Sequence, residues 1–170
     1  MSIRRKKKPI IGICGGHDAT PEYLEVAEEV GKLVAEEGWY LICGGLTGVM
    51  DAACKGASSS GGFTIGVLPG GDVTTANDHV KLPIATGVGY ARNSIIILTA
   101  DAIIAIDGAE GTLSEMCYSI VHEKPTIVVS LEDEPVDMGG IRVDKQNSSG
   151  LTVVKNAEDA IKEVKKALSL

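Results

Sequence analysis

The chain has 170 residues, 23 acidic against 16 basic side chains, a net charge of −7, 44% hydrophobic residues and 4% aromatic ones. That length supports one sizeable core, and 21 glycines among mostly aliphatic residues suit tightly turned α/β layers. The acidic balance argues against a broad nucleic-acid footprint, and no apolar run reaches the ~18 residues that span a bilayer.

Residues 1–8 carry the basic run Arg4-Arg5-Lys6-Lys7-Lys8 and are expected to form a flexible tail. No signal-peptide core follows, so a cytoplasmic protein is expected. The first strand covers Ile10 to Cys14 and turns at Gly15-Gly16. Thr20-Pro21 starts a helix, as cap and first-turn proline, and apolar positions then recur at helical spacing until Gly38. A second strand, Trp39 to Cys43, closes on Gly44-Gly45, and a helix spans about Gly48 to Ser59. A third strand, Phe63 to Leu68, ends at Pro69-Gly70-Gly71. A polar loop leads to a short strand near Leu82 to Ala85, then to Thr86-Gly87 and a helix through Tyr90 to Thr99. Strand Ala102 to Ile106 feeds a glycine-rich turn and a helix from Gly111 to about His122. Strand Thr126 to Ser130 follows. Residues 132–150 read as an irregular loop, and strand Leu151 to Val154 with helix Ala157 to Leu168 completes the pattern.

Alternating strands and helices predict one Rossmann-like domain over 9–170. It is a three-layer, doubly wound α/β fold, with a mainly parallel sheet of about seven strands and helices on both faces. Ligands in such sheets bind beyond the carboxyl ends of the strands, where the strand order switches. Glycine turns fall at those ends: Gly15-Gly16, Gly44-Gly45 with Gly48, 69–71, and Gly108 with Gly111. They mark a candidate ligand edge.

The richest stretch is Ile106-Asp107-Gly108-Ala109-Glu110-Gly111-Thr112-Leu113-Ser114-Glu115. A strand, a glycine turn and a helix amino end make an anion site, with a carboxylate one turn on. Glu115 has two readings. In one it closes a capping box with Thr112; in the other it faces the crevice as a catalytic carboxylate. Arg92 also has two. It snorkels from an apolar helix, or it clamps a phosphate, with Asn93 as polar partner. His17 and Asp18 read as solvated loop residues, His79 and His122 as surface residues, and Asp51 with Lys55 as a solvated helix pair.

No dinucleotide fingerprint or P-loop is present, so no nicotinamide or ATP chemistry is expected. Cys14, Cys43, Cys54 and Cys117 lack metal-ligand spacing and read as buried, reduced thiols; neither a metal nor a cofactor is expected.

These segments resemble the Lonely Guy-like superfamily, formerly labelled lysine decarboxylase-like. Within it they look closest to the small subfamily that includes molybdenum cofactor carrier proteins. The motif PGGxGTxxE corresponds to Asp107 through Glu115. GGxxGxM corresponds to Gly44 through Met50, and the subfamily's threonine-glycine and arginine-asparagine pairs to Thr86-Gly87 and Arg92-Asn93. The resemblance implies hydrolysis of the N-glycosidic bond of a nucleoside 5′-monophosphate. It makes Arg92 and Glu115 the catalytic pair, and Gly108, Gly111 and Thr112 the phosphate holders. It also implies a homodimer or homotetramer. The alternatives are a non-catalytic carrier of molybdenum cofactor or a related phosphorylated ligand, and a DNA-processing role like that of the Smf/DprA domain. No pyridoxal-phosphate lysine is marked. Asp107 and Ala109 depart from the motif, and Asp107 with Glu110 brings negative charge to the expected phosphate site.

Overall fold

The computed structural model describes residues 8–108, 110–131, 136–138, 141–143 and 151–170. Seven parallel strands form the main sheet. They are β1 (Ile10–Gly15), β2 (Tyr40–Cys43), β3 (Phe63–Leu68), β4 (Leu82–Ala85), β5 (Ala102–Ile106), β6 (Thr126–Val129) and β9 (Leu151–Val154). A separate antiparallel pair, β7 (Val136–Met138) and β8 (Ile141–Val143), lies within the stretch expected to be irregular throughout. The rest of that stretch, the basic residues 1–7 and Ala109 fall outside the described residues.

Strand order in the sheet is β4-β3-β2-β1-β5-β6-β9. The chain winds outward from β1 to β4, then crosses back to lay β5 on the other side of β1. The doubly wound expectation therefore holds, and the order reverses between β1 and β5. Their register pairs Gly15 with Ile106, so the two strands end together at that reversal.

The helices divide between the two faces. α1 (Pro21–Glu36), α2 (Val49–Ser59) and α5 (Ala157–Leu168) pack on one core, which includes Ile11, Ile13, Leu41, Ile104 and Ile106. α3 (Asn93–Thr99) and α4 (Glu110–Val121) cover the other core, around Ile42, Val67, Ile103 and Val128. Strands buried on both sides have no polar face to show, which is why β5 and β6 read as unbroken apolar runs.

Four local expectations need correction. The helix expected through Tyr90 to Thr99 is a 3-10 turn, Gly89–Arg92, followed by the short α3. Thr20 precedes α1 in extended backbone but its side chain caps nothing, while Pro21 does hold the first helical position. Lys55 pairs at 2.8 Å with Glu28 of α1 rather than with Asp51, so it ties two helices together. Cys117 is exposed, whereas Cys14, Cys43 and Cys54 are buried.

Candidate functional site

A cleft of about 750 Å3 opens at the carboxyl ends of β1 and β5. Its position follows from the strand order, because no crossover helix covers the point where the winding reverses. Ile13 and Cys14 of β1 floor it, and Gly15, Gly16, His17 and Asp18 form one wall. The opposite wall is the turn from β5 into α4 and that helix's first turns, from Asp107 to Glu115.

Asp107 holds φ of 52° and Gly108 φ of 131°, which swings the chain from β5 into α4. A side chain at Gly108 would strike Thr112. α4 begins at Glu110, so Thr112 lies inside the first turn and is buried. First-turn N–H groups of a helix have no partner within the helix. Here that end borders the cleft through Gly111 and Thr112. Glu115 is then too far along α4 to reach back to the helix start, which removes the capping-box reading.

Glu115 instead faces Arg92 across the cleft floor. Arg92 Nη1 lies 3.7 Å from Glu115 Oε1, and the two side chains are 7% and 8% exposed. That separation is an ion pair beyond hydrogen-bond length. Arg92 does not snorkel. Its guanidinium lies over Gly44, where a Cβ would come within 2.7 Å of Nη1 and 2.6 Å of Met50 Sδ. Its Nε has no hydrogen-bond partner among the described residues. Burial pushes the Glu115 carboxyl up to about 7, against the opposing pull of Arg92 and of the Cys14 thiol hydrogen-bonded to it. The Cys14 thiol is itself pushed up, by burial first and by Glu115 second.

Asn93, 2% exposed, ties the start of α3 to the first turns of α4. Its Nδ2 donates to Ser114 Oγ at 2.8 Å and to the Gly111 carbonyl at 3.4 Å. Ser114 Oγ donates in turn to the Gly111 carbonyl at 2.7 Å. The Asn93 Oδ1 atom has no partner among the described residues.

Of the residues singled out from sequence, the cleft gathers Gly15, Gly16, Arg92, Asn93, Gly108, Gly111, Thr112 and Glu115. His17 and Asp18 also line it. Gly44, Gly45, Gly48, Thr86 and Gly87 do not. Gly44 instead clears space for Arg92, and Gly45 packs against the Gly66 backbone. Gly48 sits on the Gly16 and His17 carbonyls, beside the Val49 N–H that donates to the Gly16 carbonyl at 3.0 Å. Thr86 Oγ1 donates to the Leu68 carbonyl at 2.7 Å and the Gly87 N–H to the Gly70 carbonyl at 3.0 Å, which ties β4 to the end of β3. Gly44 and Gly48 thus lie directly behind residues that line the cleft.

Sequence reasoning missed the apolar lining of Leu46, Met50, Pro69 and Tyr90. Tyr90 is 74% exposed at the rim. An aromatic two residues before a candidate arginine was the available signal. The chain also places carboxylates Asp107 and Glu110 on the cleft wall. Asp107 adopts a left-handed backbone that favours glycine. Asp107→Gly is therefore expected to keep the turn, remove one like charge and tighten phosphate-ester binding roughly tenfold. Calorimetric titration with adenosine 5′-monophosphate, with and without Asp107→Gly in a Glu115→Gln background that does not turn the nucleotide over, checks this.

Among the described residues there is no helix long and apolar enough to cross a membrane and no His/Cys/Asp/Glu cluster suited to a metal ion.

A family model for the SLOG cluster4 family matches residues 8–161. A protein of Archaeoglobus fulgidus described as uncharacterized is 42% identical over 133 residues, covering 78% of this chain and 85% of its own. A cytokinin riboside 5′-monophosphate phosphoribohydrolase of Mycobacterium tuberculosis is 34% identical over 125 residues, covering 68% of this chain and 67% of its own. Among solved structures, the molybdenum cofactor binding protein of the phototrophic bacterium Rippkaea orientalis superposes with a TM-score of 0.84 at 34% identity. The match covers 96% of this chain and 99% of that one.

Proposed function

This chain belongs to the SLOG cluster4 family, and from that premise we propose that it binds a nucleoside 5′-monophosphate in the β1/β5 cleft and hydrolyses its N-glycosidic bond. The observation that carries the reading is the buried Arg92–Glu115 pair, held 3.7 Å apart one helical turn beyond a helix amino end.

The phosphate sits at the start of α4, on the N–H groups of Gly111 and Thr112, where the helix end favours an anion. The apolar lining of Leu46, Met50, Pro69 and Tyr90 receives the base. The ribose then lies between them, with its anomeric carbon at Glu115. As the bond to the base nitrogen lengthens, positive charge grows on the sugar ring, and the Glu115 carboxylate stabilises it in a water-poor setting. Water supplies the oxygen that bonds to the anomeric carbon, and the bond to the base breaks. One proton from that water passes through Glu115 to the departing base. Arg92, with a free Nε donor, holds the ligand against the carboxylate and keeps Glu115 oriented. The products are free base and ribose 5-phosphate.

Similarity to the mycobacterial phosphoribohydrolase supports this reading. A second reading, a carrier that holds a phosphorylated pterin-type ligand intact, is favoured by the similarity to the Rippkaea orientalis structure. Both readings place a phosphorylated small molecule in the same cleft. They also share the expectation of a homodimer or homotetramer, for which exposed Ile95, Leu98, Tyr118 and Val121 on α3 and α4 supply an apolar face. Incubation with adenosine 5′-monophosphate separates them. The hydrolase reading expects free adenine in amounts equal to ribose 5-phosphate, detected by chromatography; intact nucleotide after prolonged incubation rejects it.

A further inference from the structure

We propose that Asn93 makes the site selective for a ribosyl ligand, by accepting a hydrogen bond from a sugar hydroxyl through its Oδ1. The inference rests on the nucleotide reading given above. The side chain is 2% exposed, it lines the cleft, and its Oδ1 is without a partner among the described residues.

The direction of the amide is not arbitrary. Both atoms around its Nδ2 are acceptors toward it. The Gly111 carbonyl has no proton to give, and Ser114 Oγ has already committed its own proton to that carbonyl. Turning the amide over would set the Asn93 oxygen against the Gly111 carbonyl, and Ser114 could donate to it only by giving up its own bond to that carbonyl. The acceptor is therefore left without a donor from the described residues, in a side chain that lines the cleft. Bare phosphate dianion has no proton to offer, so the phosphate cannot satisfy it.

Position along α4 identifies which part of the ligand can. Asn93 is bonded to Gly111 and Ser114, between the first-turn N–H groups and Glu115. In a nucleoside 5′-monophosphate, what separates the phosphate from the scissile carbon is the ribose, whose hydroxyls are donors. A buried acceptor left unmet carries its full desolvation cost, so a ligand lacking the matching hydroxyl binds measurably worse.

The test uses the Glu115→Gln protein, which keeps the cleft without turning substrate over. Calorimetric titrations compare adenosine 5′-monophosphate with its 2′-deoxy and 3′-deoxy analogues. At least one deletion is expected to weaken binding roughly tenfold or more. Adding Asn93→Ala should shrink that discrimination to within about twofold. Removing the hydroxyl from the ligand leaves the protein untouched, so the first comparison stands even if Asn93→Ala folds poorly, which thermal melting reports. Equal affinity for all three nucleotides overturns the role of Asn93 and leaves the nucleotide reading intact. Undiminished discrimination in a folded Asn93→Ala protein overturns it too. Failure of all three to bind rejects the nucleotide reading itself, and this inference with it.

Discussion

Glu115→Gln is expected to lower release of base from adenosine 5′-monophosphate by at least about a hundredfold, with nucleotide affinity retained within severalfold. Glutamine fills the same space on α4 and keeps a carbonyl oxygen near Arg92, but it neither carries negative charge nor takes a proton from water. Losses of two to four orders of magnitude are typical when such a group is removed. Because burial pushes the Glu115 carboxyl up to about 7, wild-type activity should rise with pH through about 7 as the carboxylate forms.

The same shift makes a separate prediction about stability. The folded-state value lies above the ordinary 4.5, so the folded protein holds this proton more tightly than the unfolded chain. Its contribution to stability is present below about 4.5 and declines as pH rises to about 7, by an amount on the order of 3 kcal/mol. The glutamine protein lacks that titration. It leaves Arg92 buried without a counter-charge, a cost that does not vary over this range. The difference in melting temperature, wild type minus variant, should therefore fall between pH 4.5 and 7 and then level off. A flat difference would mean that Glu115 is not a buried, proton-retaining carboxyl.

The second large effect concerns the support behind the cleft. α1 and α2 cross at two glycines. A methyl group at Gly56 would fall on the Glu28 carbonyl and within 3.0 Å of the Lys32 nitrogen. One at Gly31 would fall on the Ala53 carbonyl and within 3.0 Å of the Ala53 Cα. Helix propensity alone predicts that Gly56→Ala stabilises α2 by about 1 kcal/mol. The contact decides the sign, because the atoms struck are backbone and cannot rotate aside. Overpacking of this kind costs about 1–3 kcal/mol or more, and separating the helices adds lost burial. A net loss of about 2 kcal/mol or more is expected, a fall in melting temperature of roughly 4–8 °C or more for a chain of this size. Gly70→Ala is the control: its Cβ would meet nothing within 4 Å. Since α2 follows the turn that carries Gly44 and Gly48, Gly56→Ala should also weaken ligand binding.

Much of this architecture was legible in the sequence. Continuous apolar strands separated by helical periodicity announced a parallel sheet, and glycine turns at strand ends pointed to the ligand edge. The order reversal between β1 and β5 turned that edge into one cleft. What stayed hidden has physical reasons. A glycine needed to clear a ligand reads like one needed to clear a neighbour, so Gly44, Gly45 and Gly48 looked like site residues. Thr112 and Glu115 have capping-box spacing, and only the helix start at Glu110 shows that they form none. Arg92 in an apolar segment fits either snorkelling or burial, and the room above Gly44 decides between them. Tyr90 and Met50 carry no chemistry of their own, and only the fold brings them to the cleft. The Gly31–Gly56 crossing depends on two helices meeting, which no local pattern records.

Asp107 and Glu110 are the points at which this chain departs from the motif it otherwise follows. Both carboxylates line the wall that the phosphate is proposed to occupy. The most direct measurement is a crystal structure of the Glu115→Gln protein with adenosine 5′-monophosphate bound. The account predicts the phosphate on the Gly111 and Thr112 N–H groups, the anomeric carbon beside residue 115, and the base against Tyr90 and Met50. A phosphate seated away from the start of α4, or a nucleotide bound with its base at Arg92, would contradict it.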